Sequence, residues 1–125
     1  MKKARKLSKT AVMARAKYWR KVLHLENWRI GVTFEPDKEE ESEASCLAQP
    51  EYAAAVLRFD LAKIPPEEMD AYIVHELLHC HVWPLANFGN SACADDPVKL
   101  EALRHHEELL VTTLERLVLS LTKDA

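Results

Sequence analysis

The sequence predicts a single α+β domain with one N-terminal helix, a small antiparallel three-stranded sheet and two C-terminal helices. Three observations support this class: apolar residues at helical spacing near the N-terminus, three short alternating segments in the middle, and two long apolar-rich segments that each begin beside a proline. With 125 residues and 48% apolar content, the chain can bury one modest core, so the predicted domain spans residues 1–125.

The first predicted helix covers residues 8–26. Its apolar residues recur at helical spacing while basic residues occupy the other faces, as an amphipathic helix requires. The apolar positions are Val12, Ala16, Trp19 and Leu23. Residues 1–9 are predicted to form a flexible basic arm that leads into the first turn of this helix.

Three strands are predicted over residues 28–34, 44–48 and 55–61, because apolar and polar side chains alternate there. Pro36 ends the first strand, and the acidic run that follows it, residues 37–43, is predicted to be a solvated loop. Pro50 and Glu51 mark a turn between the second and third strands. A small antiparallel meander is the expected arrangement.

Two helices are predicted in the C-terminal half. The segment Pro65-Pro66-Glu67-Glu68 is a helix-start signal, and the helix is expected over residues 67–82, with Pro84 ending it. A loop is predicted around residues 87–91. Asp95-Asp96-Pro97 is a second start signal, with an N-cap followed by proline, so the last helix is predicted over residues 97–121.

Charge is distributed unevenly along the chain. Residues 1–30 carry ten lysines and arginines against Glu26 alone, which gives this part a net charge of +9, and the rest sums to −12 within a total of −3. A basic segment of this kind can bind phosphates, so a nucleic-acid partner is one hypothesis. The favoured interpretation is a solvated helix face that complements an acidic body, because no recognised nucleic-acid motif is present.

Cysteine usage and hydropathy indicate the compartment. Cys46, Cys80 and Cys93 are an odd number without CxxC spacing, which predicts neither a disulfide framework nor a cysteine zinc knuckle. The N-terminal segment is interrupted by charges, so no secretory signal is predicted, and no apolar run is long enough for a membrane span. A soluble protein of a reducing cytoplasm is expected, with no prediction of its oligomeric state.

The segment His75-Glu76-Leu77-Leu78-His79 matches the pattern HExxH on a predicted helix. Residues four apart lie nearly above one another in a helix, so both imidazoles can converge on one ion. Zinc accepts neutral imidazole, and a catalytic zinc site needs three protein ligands and one open position. Glu76 lies beside that open position, where a general base for the water nucleophile is needed.

The third ligand is expected from the last helix. Glu107 falls within a stripe of leucines there, and a carboxylate in a core stripe needs a partner such as a zinc ion. Glu108 and His106 remain alternatives, the latter as a ligand or as a hydrogen-bond donor to the transition state. The extended pattern HExxHxxGxxH is absent, because Val82 and Leu85 occupy its glycine and histidine positions.

The order of elements, with WRIGVTF in the first strand, HELLH in the second helix and HHEELLVTTLERL in the third, resembles the minimal gluzincin metallopeptidases, including those of phages and prophages. The resemblance runs from about Ala11 onward, and only HELLH is specific. It implies a zincin-like fold that holds one Zn²⁺ through His75, His79 and Glu107, with Glu76 activating water.

The same resemblance implies a zinc metalloendopeptidase that cleaves peptides or unfolded proteins in the cytoplasm of a bacterial host. It also implies that the strand nearest the active-site helix, at Val56, Leu57 and Arg58, offers its edge to an extended peptide. Two alternatives remain: a nucleic-acid-associated protease similar to the SprT type, and an inactive zincin fold that serves as a phage interaction module.

Overall fold

The computed structural model describes residues 7–36 and 42–122 of the chain. The helices are α1 (Lys9–Val22), α2 (Met69–Ala92) and α3 (Pro97–Thr122), and the strands are β1 (Arg29–Thr33), β2 (Ala44–Gln49) and β3 (Ala54–Phe59). The predicted α+β class is confirmed. None of the helices in this described part combines the length and apolar character that a membrane crossing requires. Residues 1–6 of the predicted basic arm and residues 37–41 of the predicted acidic loop lie outside the described residues.

Helix α1 begins at a side-chain cap and ends at a left-handed residue. The Ser8 hydroxyl accepts a hydrogen bond from the amide of Ala11 at 3.1 Å, which satisfies one free donor of the first turn. His24 has a φ of 58°, and the amide of Leu25 donates to the carbonyl of Arg20, so the helix ends four residues before the predicted boundary. The indole of Trp19 donates to Asp70 of α2 at 3.1 Å. This hydrogen bond joins the first helix to the second.

The sheet has the order β1-β3-β2, with β3 in the centre. Strands β2 and β3 are antiparallel, as predicted, but β1 and β3 are parallel, so the prediction of an all-antiparallel sheet is wrong. Strand β3 buries Ala55, Leu57 and Phe59 on one face, and this apolar content suits a central strand.

Helix α2 continues through Pro84 to Ala92, so the predicted end of the helix and the predicted loop at residues 87–91 are wrong. A proline removes one backbone donor from a helix, and packing beyond it can offset that loss. Ala86 is buried, and a Cβ atom at Gly89 would lie 2.7 Å from Leu103 of α3. The last turns of α2 therefore pack tightly against α3, which favours helix over loop.

The core lies between α1, the inner face of the sheet and α2. Its largest fully buried side chains include Phe59, Leu25, Leu57, Met69, Ile73 and Leu77. Helix α3 covers one side of α2, and Val111 is its buried residue. The predicted leucine stripe of α3 is not its buried face, because Leu110 and Leu117 are 44% and 52% exposed.

Candidate metal centre

Helix α2 carries His75 and His79 one turn apart on the side that faces α3. Their rings meet edge to face with centroids 5.1 Å apart. Both side chains are largely buried, at 19% and 13% exposed. The spacing of HELLH therefore brings the two imidazoles together, as a helical position predicts.

A single carboxylate faces the Nε2 atoms of both rings. One oxygen of Glu108 lies 3.2 Å from Nε2 of His75, and the other lies 3.0 Å from Nε2 of His79. The three candidate ligand atoms all lie within 4.8 Å of one another. Two imidazole nitrogens and one carboxylate oxygen thus converge on one small space at the interface of α2 and α3.

The Nδ1 atom of each ring contacts a further glutamate of α3, and this glutamate differs between the two rings. Nδ1 of His75 lies 2.9 Å from Glu115, and Nδ1 of His79 lies 2.9 Å from Glu107. Glu107 is only 10% exposed and Glu115 is 19% exposed. Carboxylates in this position fix the orientation and tautomer of an imidazole, so that Nδ1 carries the proton and Nε2 is free to bind a metal.

The protonation of the two rings decides whether this site can bind a cation. A neutral imidazole has one N–H donor and one acceptor nitrogen, whereas an ionised carboxylate only accepts. Protonated rings would donate Nε2–H to Glu108. Neutral rings that donate Nδ1–H to Glu115 and Glu107 instead direct their Nε2 lone pairs at the Glu108 oxygens. A divalent ion between these three acceptors removes that repulsion. Two imidazoles and a carboxylate are also a known donor set for catalytic zinc, with a fourth position for water.

The third candidate ligand in the structure is Glu108, whereas the sequence favoured Glu107. Glu107, the expected ligand, lies on the Nδ1 side of His79, whereas the alternative Glu108 faces both Nε2 atoms. His106 lies on the exposed surface of α3, with its ring 6.0 Å from that of His105. Glu115 was missed by the sequence analysis. Its spacing of two helical turns from Glu108 is the signal that could have found it.

Glu76 projects from the same turn of α2 and is 7% exposed. Burial raises the pKa of its carboxyl group, and the neighbouring His79 and His75 counteract this by favouring the charged form. Glu76 lines the same cleft as the two histidines and Glu108. A buried carboxylate with a raised pKa can take a proton from water and hold it.

The cleft has a volume of about 460 Å³ and lies between strand β2 and the two C-terminal helices. Ala44, Cys46 and Ala48 of β2 form the wall opposite the histidines. The predicted substrate edge at Val56, Leu57 and Arg58 is wrong, because β3 has a strand on each side. Strand β2 is the edge strand that borders the cleft.

The three predicted edge residues have other surroundings. Leu57 is fully buried in the core, and Val56 lies on the opposite face of the strand, 43% exposed. The guanidinium of Arg58 donates to the hydroxyl groups of Ser45 and Ser42. Arg58 therefore joins β3 to the start of β2.

Two of the three free cysteines lie beside the site. The sulfur atoms of Cys46 and Cys80 are 4.0 Å apart. The hydrogen bond with Cys80 and burial raise the pKa of the Cys46 thiol. Cys46 lines the cleft, and the group of ligand atoms that converge there comes from His75, His79 and Glu108.

Comparisons of the chain with protein-family models, with curated proteins and with solved structures each return no match.

Proposed function

We propose that this protein is a zinc-dependent peptidase that hydrolyses peptide bonds with Glu76 as general base. His75, His79 and Glu108 would hold the metal ion. The observation that carries the proposal is the convergence of two Nε2 atoms and the Glu108 carboxylate beside a buried glutamate in an open cleft. This arrangement has the ligands, the base and the access that hydrolysis requires.

The donor set favours zinc among divalent ions. Imidazole nitrogens suit zinc better than magnesium or calcium, which prefer oxygen ligands. When bound, zinc supplies Lewis acidity, which lowers the pKa of water and polarises a carbonyl group. Glu107 and Glu115 support binding by holding the Nδ1 protons of the two histidines, so that both Nε2 lone pairs stay directed into the site.

Glu76 moves the proton in the proposed reaction. Its carboxylate accepts a proton from the attacking water and later donates it to the amine nitrogen of the departing product. Burial suits both steps, because it raises the pKa of the carboxyl group and so makes the protonated form accessible between them. The two oxygens of Glu108 already face His75 and His79, which leaves Glu76 as the carboxylate available for proton transfer.

Strand β2 is the proposed docking edge for the substrate. Within residues 7–36 and 42–122 it pairs with β3 on one side, and it borders the cleft that contains His75 and His79. An extended peptide can add to such an edge through main-chain hydrogen bonds, which give affinity with little sequence preference. Peptides and unfolded proteins are therefore the proposed substrates.

The test is a comparison of Glu76→Gln with the wild-type protein. The variant is expected to keep one zinc ion per chain while cleavage of an unfolded protein such as reduced casein falls by about 100-fold or more. Glu101→Gln is the matched control, because Glu101 is an exposed carboxylate of α3 that lies outside the cleft lining. Undiminished cleavage by Glu76→Gln would reject this glutamate as the base.

A further inference from the structure

The cleft extends past the histidines towards the C-terminal end of α2. Three side chains line this extension: Trp83 and Asn90 of α2, and Arg104 of α3. None of them belongs to the proposed ligand set or acts as the base. They form a second region of the same cleft, and its chemistry differs from that of the histidine pair.

Helices α2 and α3 run in opposite directions, and three contacts fix their register. His75 meets Glu115, His79 meets Glu108, and Gly89 packs against Leu103. Arg104 therefore lies between the level of His79 and the level of Gly89. It precedes Glu108 by four residues, so its backbone lies about 6 Å along the helix axis from that of Glu108.

Arg104 is the only lysine or arginine among the described residues that line this cleft. It makes no ion pair with another residue in the described ranges, and the neighbouring Glu107 and Glu108 are directed at His79. A guanidinium offers a planar fork of donors that matches a carboxylate, so an arginine without a partner in a cleft is suited to bind one.

Asn90 adds a second polar group to this region. Its side-chain oxygen is buried and accepts no hydrogen bond from the part of the chain that the structure describes. Buried acceptors are generally satisfied, so this oxygen marks an unsatisfied polar position in the wall of the cleft. The indole of Trp83 supplies an apolar wall. The region thus combines a cation, a polar amide side chain and an apolar surface in the lining of the cleft.

We propose that Arg104, Asn90 and Trp83 form a subsite for a carboxylate group of the substrate. This proposal rests on the proposed peptidase function and specifies its substrate class: peptides with a carboxylate within one or two residues of the scissile bond. An extended residue spans about 3.3 Å, so the axial offset of about 6 Å between Arg104 and Glu108 corresponds to that spacing. The carboxylate comes either from an aspartate or glutamate side chain or from the C-terminus of the peptide.

Binding to the zinc-loaded Glu76→Gln variant tests the subsite without turnover. Calorimetry would compare peptides that carry Glu or Gln at each position in turn, all with amidated C-termini, and then one peptide as free acid and as amide. At one position or at the terminus, the carboxylate form is expected to bind about ten-fold tighter or more. An advantage in the Glu series identifies a side-chain carboxylate, and an advantage of the free acid identifies the C-terminus.

Arg104 is tested in the same background. Arg104→Gln is expected to abolish the carboxylate advantage, and Arg104→Glu is expected to reverse it in favour of lysine at the same position. Arg116→Gln is the matched control, because Arg116 is an exposed arginine of α3 outside the cleft lining. The proposal is overturned if no carboxylate form binds tighter, or if the advantage persists in Arg104→Gln.

Measurement of peptide cleavage distinguishes failure of the subsite proposal from failure of the peptidase proposal. Wild-type cleavage without any carboxylate advantage in binding would leave the peptidase function standing and remove the subsite. An Arg104-dependent advantage in a protein that cleaves nothing would support the subsite and contradict the peptidase function.

Discussion

Two adjacent glutamates of α3 face the two nitrogens of one imidazole. Nε2 of His79 lies 3.0 Å from Glu108, and Nδ1 of the same ring lies 2.9 Å from Glu107. The long side chains allow neighbouring residues to reach opposite sides of the ring. One carboxylate is therefore positioned as a candidate ligand and the other as the group that orients the ligand.

This division of roles predicts different losses of zinc affinity. The zinc affinity of Glu108→Ala is expected to fall by more than about 100-fold, because the substitution removes a ligand. The zinc affinity of Glu107→Ala is expected to fall by about 10- to 100-fold, which is typical when the residue that orients a ligand is removed. Competition with a chromophoric chelator measures both. The reverse order of losses would make Glu107 the third ligand, as the sequence alone suggested.

Glu115 is predicted to strengthen zinc binding through its contact with His75. Glu115→Gln keeps a hydrogen-bond acceptor for Nδ1 but removes its charge, and zinc affinity is expected to fall by about 10-fold or more. Urea unfolding of the zinc-free protein is the control for stability. If zinc affinity stayed at the wild-type value, the contact with His75 would have no part in metal binding.

Substrate pairing with β2 predicts a periodic response to backbone methylation. In a peptide that adds to a strand edge, every second amide points towards the edge. N-methylation at alternate positions is expected to lower kcat/KM by about 10-fold or more, while methylation at the intervening positions has little effect. Peptides methylated far from the cleaved bond are the control. A uniform response along the peptide would contradict strand addition.

The proline inside α2 predicts a gain in stability on substitution. Pro84→Ala restores a backbone donor and a better helix former at an exposed position, so the free energy of unfolding is expected to rise by about 1 kcal/mol or more. Urea denaturation measures the change, and zinc affinity serves as the control because Pro84 is outside the ligand set. A loss of stability would indicate that the local helix geometry is adapted to proline.

The features that the sequence predicted well depend on local spacing. HELLH places His75 and His79 on one helical face whatever surrounds them, and Asp96-Pro97 is a start signal whose effect is confined to one turn. The alternation over residues 55–61 likewise predicted a strand, and β3 spans Ala54–Phe59. Each of these inferences needs only neighbours within a few positions.

The features that the sequence missed depend on distant partners. The parallel pairing of β1 with β3 is set by which strand fills the centre of the sheet, and no local pattern encodes that choice. Continuation of α2 past Pro84 depends on the close approach of Gly89 to Leu103. Burial was also a poor guide to the third ligand, because Glu108 lies at the cleft rim with its side chain 57% exposed.

Anomalous diffraction at the zinc edge, from crystals of the protein grown with zinc, tests the central claim most directly. The expected result is one peak within about 2.0–2.2 Å of Nε2 of His75, Nε2 of His79 and a carboxylate oxygen of Glu108. Glu76 should lie beside the open position. The absence of an anomalous peak between α2 and α3, or a peak bound by other residues, would contradict the proposed metal centre.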